Sequence, residues 1–429
     1  MDIEKLLSGL VNCKCGREHD FDTRLVEIGS EILDRTGELL DSVRFPKRVL
    51  LVADRNTLKA SEGLLECLER TGYIIKLKLY EDLTLAEMHE VVELQKLSGD
   101  VDGILAVGSG SICDICRVAA YRENKEFAVF ATAPSMDGFA SDTAPIIENG
   151  FKLTRQAKQP IAIIGDTKIL AAAPAELKAA GFGDMIGKFT ALTDWKISNI
   201  LTGEYFCDKI AELTLEGLKK VTEQADRIAS NDEKAAASVM EGLVLSGLAM
   251  KLAGSSRPAS GAEHVLSHFW ECKKLAAGLW PEFHGKKVGV ASVIITKLYR
   301  KLAMEYEYIE PTPDTTDWEA VKAAYGPELE PEMMKMNNPT ITSQIEPTKI
   351  KEIWPQIRQI VLKTLPEDDE LLSLMIRAGA AIAPAEVNVG ASLLEQGLKY
   401  HPYMRHRVLL TRLIPMLGLE GKFDAHTVI

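Results

Sequence analysis

Residues 104–120, ILAVGSGSICDICRVAA, are the stretch that decides the fold. They open with an unbroken apolar run, which is typical of a strand buried on both faces of a parallel sheet. Gly108 and Gly110 follow this run, and a helical pattern begins near Ser111. A buried strand that turns on glycines into a helix predicts a Rossmann-like α/β fold, in which parallel strands alternate with crossover helices.

Four further apolar runs flank this unit: KRVLLVADRN (47–56), YIIKLKLY (73–80), FAVFATAPS (127–135) and IAIIGD (161–166). After about Thr167 the strand-like runs stop and long amphipathic patterns replace them. We therefore predict an α/β domain with a parallel sheet over residues 1–167 and an all-α domain over residues 168–429. The stretch 305–340 is rich in proline and acidic residues, and we expect a surface excursion between helices there.

The composition narrows the class of protein. The 429 residues are 46% hydrophobic, and 50 basic against 62 acidic residues give a net charge of -12. Because the chain is acidic and has no long block of Lys or Arg, nucleic acid is not an expected partner. No apolar run approaches the roughly 20 residues that cross a bilayer, and the N-terminal stretch lacks the pattern of a signal peptide. We therefore expect a cytoplasmic protein without a membrane span.

The cysteines, seven in a long acidic chain, favour reduced thiols over a disulfide framework. Cys113 and Cys116 have the CxxC spacing, but Cys116 falls in an apolar helical pattern and no second pair completes a zinc site, so we expect buried free thiols. Cys13, Cys15 and His19 have the character of a partial zinc knuckle. Because no fourth ligand lies nearby in the sequence, we do not predict a metal there.

Loops after three of the predicted strands carry candidate ligands for a nucleotide. The turn at Gly108 and Gly110 can hold a phosphate, because glycines admit close approach and a helix N-terminus carries partial positive charge. Asp54 ends the strand VLLVAD, where a carboxylate can accept hydrogen bonds from a ribose, and the loop ATAPSMDGFASD (131–142) follows another strand. Since the carboxyl ends of parallel strands share one crevice, the three loops predict a nucleotide site; the alternative is a plain strand-to-helix turn.

Three of the eight histidines lie between residues 264 and 284. On a helix His264 and His268 share one face and Glu263 is turned away from them, a pattern that differs from HExxH. We expect His284 to begin another helix, and Asp184 lies in the apolar, glycine-rich stretch GFGDMIGK. Side chains of these types on separate elements predict a catalytic metal site, whereas any one histidine alone favours a structural role.

Five motifs, in this order along the chain, carry a family resemblance: GSGSICD, TAPSMDGFASD, GFGDMIGK, SGAEHVLSH and FHGKKVG. The sequence resembles the bacterial glycerol-1-phosphate dehydrogenase group of the metal-dependent, iron-containing alcohol dehydrogenase superfamily, to which glycerol dehydrogenase and 3-dehydroquinate synthase also belong. The resemblance covers nearly the whole chain and implies a dehydroquinate synthase-like architecture. The stretch from Glu310 to Asn338 matches none of these motifs and leaves the local helix count open.

The resemblance also implies roles for individual residues. Asp184, His264 and His284 would bind one divalent metal (zinc, nickel or iron), which makes Asp184 part of the catalytic set. His268 would face the substrate as a further catalytic residue, with Asp137 near the substrate hydroxyls. The dinucleotide site would comprise Asp54, on the adenosine ribose, and Gly108, Ser109, Gly110, Ser111, Ile112, Thr132, Ser135 and Ser141.

The implied reaction is the reversible, NAD(P)-dependent reduction of dihydroxyacetone phosphate to sn-glycerol 1-phosphate, in which a divalent metal polarises the substrate oxygen. A carboxylate at Asp54 would favour NAD(H) over NADP(H), and we expect a homo-oligomer, a dimer. The alternatives are a glycerol or other polyol dehydrogenase of the same superfamily and a non-catalytic relative. Whether the substrate carries a phosphate distinguishes a glycerol-1-phosphate dehydrogenase from a polyol dehydrogenase. The candidate partners of that phosphate are Arg257, Lys188, Lys286 and Lys287.

Overall fold

A parallel sheet forms the first part of the computed structural model, which describes residues 3–11 and 13–419. The strands are β1 (Leu25–Gly29), β2 (Arg48–Asp54), β3 (Ile74–Tyr80), β4 (Gly103–Gly108), β5 (Glu126–Ala131), β6 (Thr143–Glu148), β7 (Phe151–Gln156) and β8 (Ala162–Asp166). Six of them form one sheet in the order β1-β8-β5-β4-β2-β3, in which every neighbouring pair is parallel. Strands β4 and β8 are buried at every residue, which explains their unbroken apolar runs.

The five apolar runs quoted above form β2, β3, β4, β5 and β8. The sequence reading misses the edge strand β1, which is short and mostly half-buried, and the antiparallel hairpin β6–β7. This hairpin turns at Asn149 and Gly150, whose φ angles are 51° and 74°. Asn-Gly is the preferred pair for a two-residue turn with positive φ at both positions, so the hairpin has a readable local signal.

Helices make up the regular structure of the described chain after β8. They pack partly on the sheet and partly on one another. One hydrophobic cluster joins Leu50 and Ile104 of the sheet to Val239 and Met240 of the helical part. The helices are α1 (Ile3–Ser8), α2 (Thr36–Ser42), α3 (Arg55–Ala60), α4 (Leu64–Arg70), α5 (Met88–Leu97), α6 (Gly110–Arg122), α7 (Thr167–Ala172), α8 (Ala175–Ile186), α9 (Lys188–Thr202), α10 (Asp208–Thr222), α11 (Glu233–Ala253), α12 (Ala262–Ala276), α13 (His284–Glu305), α14 (Trp318–Met336), α15 (Pro347–Thr364), α16 (Asp368–Arg377), α17 (Ala391–Tyr400) and α18 (Leu410–Leu413).

The predicted fold class, a Rossmann-like α/β part followed by helices, is confirmed. The change from strands to helices falls at Asp166, where β8 ends, and α7 begins at Thr167. The division into two domains at this point remains a prediction, because the core cluster is continuous across it.

Glycines bring α8 and α13 into close contact. A Cβ on Gly183 would stand 2.6 Å from the carbonyl oxygen of Gly285, and one on Gly285 would stand 2.0 Å from that of Ala180. Side chains larger than hydrogen would therefore push the two helices apart. The close crossing places Asp184 against the first turn of α13.

Helix α11 is an exception to the expectation that no segment is long and apolar enough to cross a bilayer. Its 21 residues are, by length and composition, apolar enough to cross a membrane, with a mean hydropathy of 1.4 over the most apolar window. In the structure 78% of that window is buried. The helix packs on α10 and on the turn at residues 137–140, where a Cβ on Gly247 would stand 2.9 Å from the Asp137 carbonyl oxygen. These are the surroundings of a core helix.

The stretch 305–340 is only partly a surface excursion. Residues 318–336 form α14, which is kinked at Gly326 (φ 75°) and contains two prolines. Val321, Tyr325, Leu329 and Met333 recur every fourth residue and are buried. The surface expectation is therefore wrong for this helix, because proline and acidic residues on its outer side conceal a regular apolar face.

Candidate active site

Asp184, His264 and His284 come from α8, α12 and α13 and meet at one point; we call them the Asp-His-His cluster. One oxygen or nitrogen of each lies within 4.8 Å of the others. His264 Nε2 is 3.3 Å from Asp184 Oδ1, and His284 Nε2 is 3.9 Å from Asp184 Oδ2. The Asp184 side chain is fully buried, whereas 24% of the His284 side chain is exposed. One carboxylate and two imidazoles with an accessible side fit a divalent metal that keeps a position open.

Glu263 holds His264 in this arrangement. It is fully buried, and its Oε1 lies 2.7 Å from His264 Nδ1. The expectation that Glu263 turns away from the histidines is therefore wrong, because the carboxylate folds back around the start of α12 and also accepts a hydrogen bond from Gly261 N–H at 2.8 Å. Burial alone would lower the pKa of His264, but its bonds to Asp184 and Glu263 raise the pKa to about 9. A carboxylate behind a histidine fixes which ring nitrogen faces an ion.

His268 lies beside the cluster with a different partner. Its ring centroid is 5.4 Å from that of His284 and 6.2 Å from that of His264. Its Nδ1 lies 3.2 Å from Glu271 Oε2. Burial lowers the pKa of His268 to about 3, and the bond to Glu271 only partly opposes this shift. The imidazole is therefore neutral near pH 7.

Two buried lysines share Glu271. Lys152 Nζ, from the hairpin, lies 2.9 and 3.1 Å from the two Glu271 oxygens, and Lys287 Nζ lies 3.5 Å from Oε2. Burial would raise the pKa of Glu271, but the two lysines hold it well below its ordinary value. Burial also lowers the pKa of Lys287 to about 8. Sequence reasoning misses this group: the helical spacing to His268 could have indicated Glu271, but nothing local indicates Lys152.

Lys188 and Asp137 adjoin the Asp-His-His cluster. Lys188 Nζ is fully buried, 2.6 Å from Asp137 Oδ2 and 2.9 Å from Asp184 Oδ1. The backbone N–H of Asp137 donates to Asp184 Oδ2 at 3.0 Å, and the Ser246 hydroxyl donates to Asp137 Oδ2 at 3.0 Å. The loop after β5 therefore reaches the cluster directly.

The glycine turn lies between β4 and α6, at the carboxyl edge of the sheet. A Cβ on Gly108 would stand 2.7 Å from Ile112 Cδ1, so the Ile112 side chain would have to shift. At Gly110 the nearest atom to a Cβ is Met136 Cγ, 3.8 Å away, so space remains above the backbone. The first N–H groups of α6 have no partners within the helix, and this turn is therefore suited to an anionic group.

The loop after β5 also packs on this turn. The Ser109 and Ser135 hydroxyls are hydrogen-bonded to each other. The backbone N–H of Thr132 donates to the Gly108 carbonyl at 3.2 Å. Because the same loop contacts Asp184 through Asp137, residues 132–137 join the glycine turn to the Asp-His-His cluster.

Three of the other predicted dinucleotide ligands have protein partners. Asp54 ends β2, the neighbour of β4, and its Oδ1 accepts from Thr57 N–H at 2.8 Å, which caps α3. The Ser111 hydroxyl donates to a backbone carbonyl at 3.0 Å. Ser141 is buried, and its hydroxyl lies 3.2 Å from that of Thr143. Their contacts with a dinucleotide remain predictions.

The four candidate phosphate partners divide into two pairs. Arg257 donates to Glu204 at 2.8 Å and to the Val408 carbonyl at 2.9 Å, and Lys286 lies 2.6 Å from Glu176 Oε1. These two cations thus have partners outside the groups described above. Lys188 and Lys287, by contrast, contact Asp184 and Glu271 respectively.

The N-terminal cysteines have a neighbour that the sequence does not reveal. Cys207, just before α10, joins Cys13, Cys15 and His19, and one ligand atom of each lies within 4.8 Å of the others. The expectation that no fourth ligand lies nearby is therefore wrong, because packing supplies one from a distant part of the chain. We call these four residues the thiol–histidine cluster. The expected buried free thiols at positions 113 and 116 are confirmed.

Comparison with known proteins assigns the chain to a family. The model of the iron-containing alcohol dehydrogenase family matches residues 27–174. Glycerol-1-phosphate dehydrogenase (NAD(P)+) of Geobacillus stearothermophilus is 33% identical over 421 residues, which cover 96% of each chain. The enzyme of the same name from Bacillus subtilis is 39% identical over 308 residues, 70% of this chain and 77% of its own.

A solved structure shows the same fold. The archaeal Red Sea brine pool alcohol dehydrogenase ADH/D1 superposes with a TM-score of 0.61 at 14% identity, covering 96% of this chain and 97% of its own. The chain belongs to the iron-containing alcohol dehydrogenase family. Within that family it falls in the glycerol-1-phosphate dehydrogenase group, as the resemblance implies.

Proposed function

We propose that this protein catalyses the reversible, NAD(P)-dependent reduction of dihydroxyacetone phosphate to sn-glycerol 1-phosphate. The observation that carries the proposal is the loop at residues 132–137, which contacts the glycine turn through Ser135 and the Asp-His-His cluster through Asp137. A dinucleotide on the turn and a substrate at the cluster would therefore lie side by side. Near full-length similarity to glycerol-1-phosphate dehydrogenases supports the choice of substrate.

Asp184, His264 and His284 would hold one divalent metal, zinc, nickel or iron. Their oxygen and nitrogen donors suit these ions, and three protein ligands leave a position open. When bound, the ion acts as a Lewis acid that polarises the substrate oxygen. Glu263 orients His264, and the buried Lys188 fixes the carboxylate of Asp184.

His268 would accept a hydrogen bond from the substrate hydroxyl and relay its proton. Because an ionised Glu271 only accepts hydrogen bonds, their contact places the His268 proton on Nδ1 and leaves a lone pair on Nε2. Nε2 would take the hydroxyl proton during oxidation and return it during reduction. Asp137 would accept hydrogen bonds from the substrate hydroxyls.

The dinucleotide would lie across the carboxyl ends of β2, β4 and β5, which are neighbours in the sheet. Its pyrophosphate would approach the backbone at Gly110, where the turn is open, and receive the N–H groups of α6. Asp54 would contact the adenosine ribose and repel a 2′-phosphate, so we expect a preference for NAD(H).

Lys152 and Lys287 are our assignment for the substrate phosphate. Both contact Glu271, the partner of His268, so two buried cations share one carboxylate beside the substrate position. This surplus of positive charge favours an anionic substrate over an uncharged polyol. The charge therefore supports a phosphorylated ketone.

The localisation, the domain division and the oligomeric state are proposed on other grounds. Seven free cysteines support a soluble protein of the cytoplasm, and the buried position of α11 is consistent with it. We propose an α/β domain at residues 1–167 that binds the dinucleotide and a helical domain at residues 168–429 that holds metal and substrate. We further propose a homodimer, which is what the family resemblance implies.

The test compares NADH oxidation with dihydroxyacetone phosphate and with dihydroxyacetone, before and after removal of metal with EDTA. We expect kcat/KM about 100-fold higher with the phosphate ester, since buried cations discriminate strongly against a partner that leaves them unpaired. Activity should disappear on chelation and return with zinc, nickel or ferrous iron. The product should be sn-glycerol 1-phosphate. Preference for dihydroxyacetone would favour a polyol dehydrogenase, and no turnover by the metal-loaded protein would favour a non-catalytic relative.

A further inference from the structure

The thiol–histidine cluster is a second group of metal-type ligands, separate from the Asp-His-His cluster. Cys13 Sγ lies 3.5 Å from Cys207 Sγ. His19 Nε2 lies 3.1 Å from Cys15 Sγ and 3.8 Å from Cys207 Sγ. Two ligand atoms on a tetrahedral zinc ion are about 3.5–3.8 Å apart, given Zn–S and Zn–N bonds of about 2.3 and 2.0 Å. The four atoms are therefore already close to the spacing that zinc requires.

The local backbone presents three of these ligands on one side. Cys13, Cys15 and His19 lie in a turn-rich segment before β1, and Gly16 within it adopts a φ of 80°. Glycine adopts this left-handed conformation at little cost. Cys207 completes the group from the residue that precedes α10.

The surroundings favour thiolates. The Tyr205 hydroxyl donates a hydrogen bond to Cys15 Sγ at 3.3 Å. The Arg17 guanidinium lies 3.6 Å above the centre of the Tyr205 ring. A hydrogen-bond donor stabilises the ionised form of cysteine, which is the form that binds metal.

We propose that Cys13, Cys15, His19 and Cys207 bind a structural zinc ion. Three soft thiolates and one imidazole select zinc over magnesium or calcium, and four protein ligands leave no position for a substrate. A Cys13–Cys207 disulfide would use only two of the four converging side chains and leave Cys15 and His19 without a role. Zinc accounts for all four.

The ion would tie the N-terminal segment to the helical part of the protein. Cys13 and Cys207 are 194 positions apart in the sequence. The segment that carries Cys13 precedes β1, while Cys207 is the residue just before α10. The expected role of the site is therefore to fasten the edge of the sheet to the helices.

The experiment measures zinc per chain in the full-length protein by mass spectrometry after EDTA treatment. We expect about one tightly held zinc per chain that EDTA does not remove and that the thiol reagent p-hydroxymercuribenzoate releases. Cys207→Ser and Cys15→Ala should each lose this zinc, whereas Cys67→Ala, which removes a buried thiol elsewhere, should keep it. His264→Ala should also keep it, so this result stands apart from the proposed reaction.

A measurement on the unaltered sequence covers the case in which a cysteine variant fails to fold. Protein produced with cobalt should show intense sulfur-to-cobalt charge-transfer absorption in the near ultraviolet, and oxygen or nitrogen ligands alone do not produce it. No tightly held zinc together with no such absorption would overturn the proposal. Iron in place of zinc, zinc retained in both cysteine variants, or a Cys13–Cys207 disulfide in non-reduced peptides would overturn it as well.

Discussion

The Asp-His-His cluster and the thiol–histidine cluster are assembled in the same way but differ in the number and chemistry of their side chains. Both gather ligands from segments far apart in the sequence. The first offers three metal-type side chains, one carboxylate and two imidazoles, and 24% of the His284 side chain is exposed. The second offers four such side chains, of which three are thiols. Under our two proposals, the number and softness of the ligands separate the catalytic site from the structural one.

The largest expected effect follows from removing a ligand of the Asp-His-His cluster. His264→Ala should lower kcat/KM by about 10³-fold or more, because the substrate oxygen loses a polarising ion worth several kcal/mol. Metal analysis should show loss of the EDTA-sensitive ion and retention of the zinc of the thiol–histidine cluster. His89→Ala, at an exposed position, is the matched control. An unchanged EDTA-sensitive metal content would remove His264 from the ligand set.

The second prediction distinguishes the proposed metal ligand His264 from the proposed proton carrier His268, which lies one helical turn away. His268→Ala should keep both metals and NADH affinity but lose about 10²- to 10⁴-fold in kcat, the usual contribution of a general acid or base. If the role of His268 were purely structural, the variant would instead have a lower Tm and would bind both NADH and the ketone more weakly. Loss of the EDTA-sensitive ion from this variant would mean that His268 binds the metal.

A smaller effect is expected at the glycine turn. Gly110→Val should raise KM for NADH about tenfold with little change in KM for the ketone, because the new side chain stands where a phosphate approaches the backbone. The protein itself has room for the added Cβ, which would be 3.8 Å from its nearest neighbour. Gly99→Val, in open surroundings, is the control. Equal NADH titrations of the two variants would place the pyrophosphate elsewhere.

The smallest effect on catalysis is expected at the thiol–histidine cluster. Cys15→Ala should leave kcat within about twofold but lower Tm by roughly 5 °C or more, since the binding free energy of a structural metal is part of the folding free energy. Thermal unfolding and steady-state kinetics on one preparation check both parts. A large fall in kcat at unchanged Tm would mean that this cluster takes part in the reaction, and the contrast between the two sites would fail.

Local pattern indicated the elements and part of the site. Apolar runs marked five strands, and the runs are unbroken in β4 and β8, because a strand buried on both faces excludes polar residues. The glycines at 108 and 110 marked the turn after β4, and the four-residue spacing of His264 and His268 placed both on one face of α12. By contrast, the helical spacing gives the wrong direction for Glu263, because its side chain folds back to the start of its own helix.

The sequence by itself thus determined most of the strands and helices and the turn after β4, because the period of apolar residues is local information. Only the tertiary structure decided which distant side chains meet. Asp184 reaches His284 because glycines let α8 and α13 touch. Lys152 reaches Glu271 across 119 positions, and Cys207 reaches Cys13 across 194. Such contacts depend on how whole helices and strands pack. Packing depends on the shapes and volumes of side chains throughout the core, and no short stretch of residues contains that information.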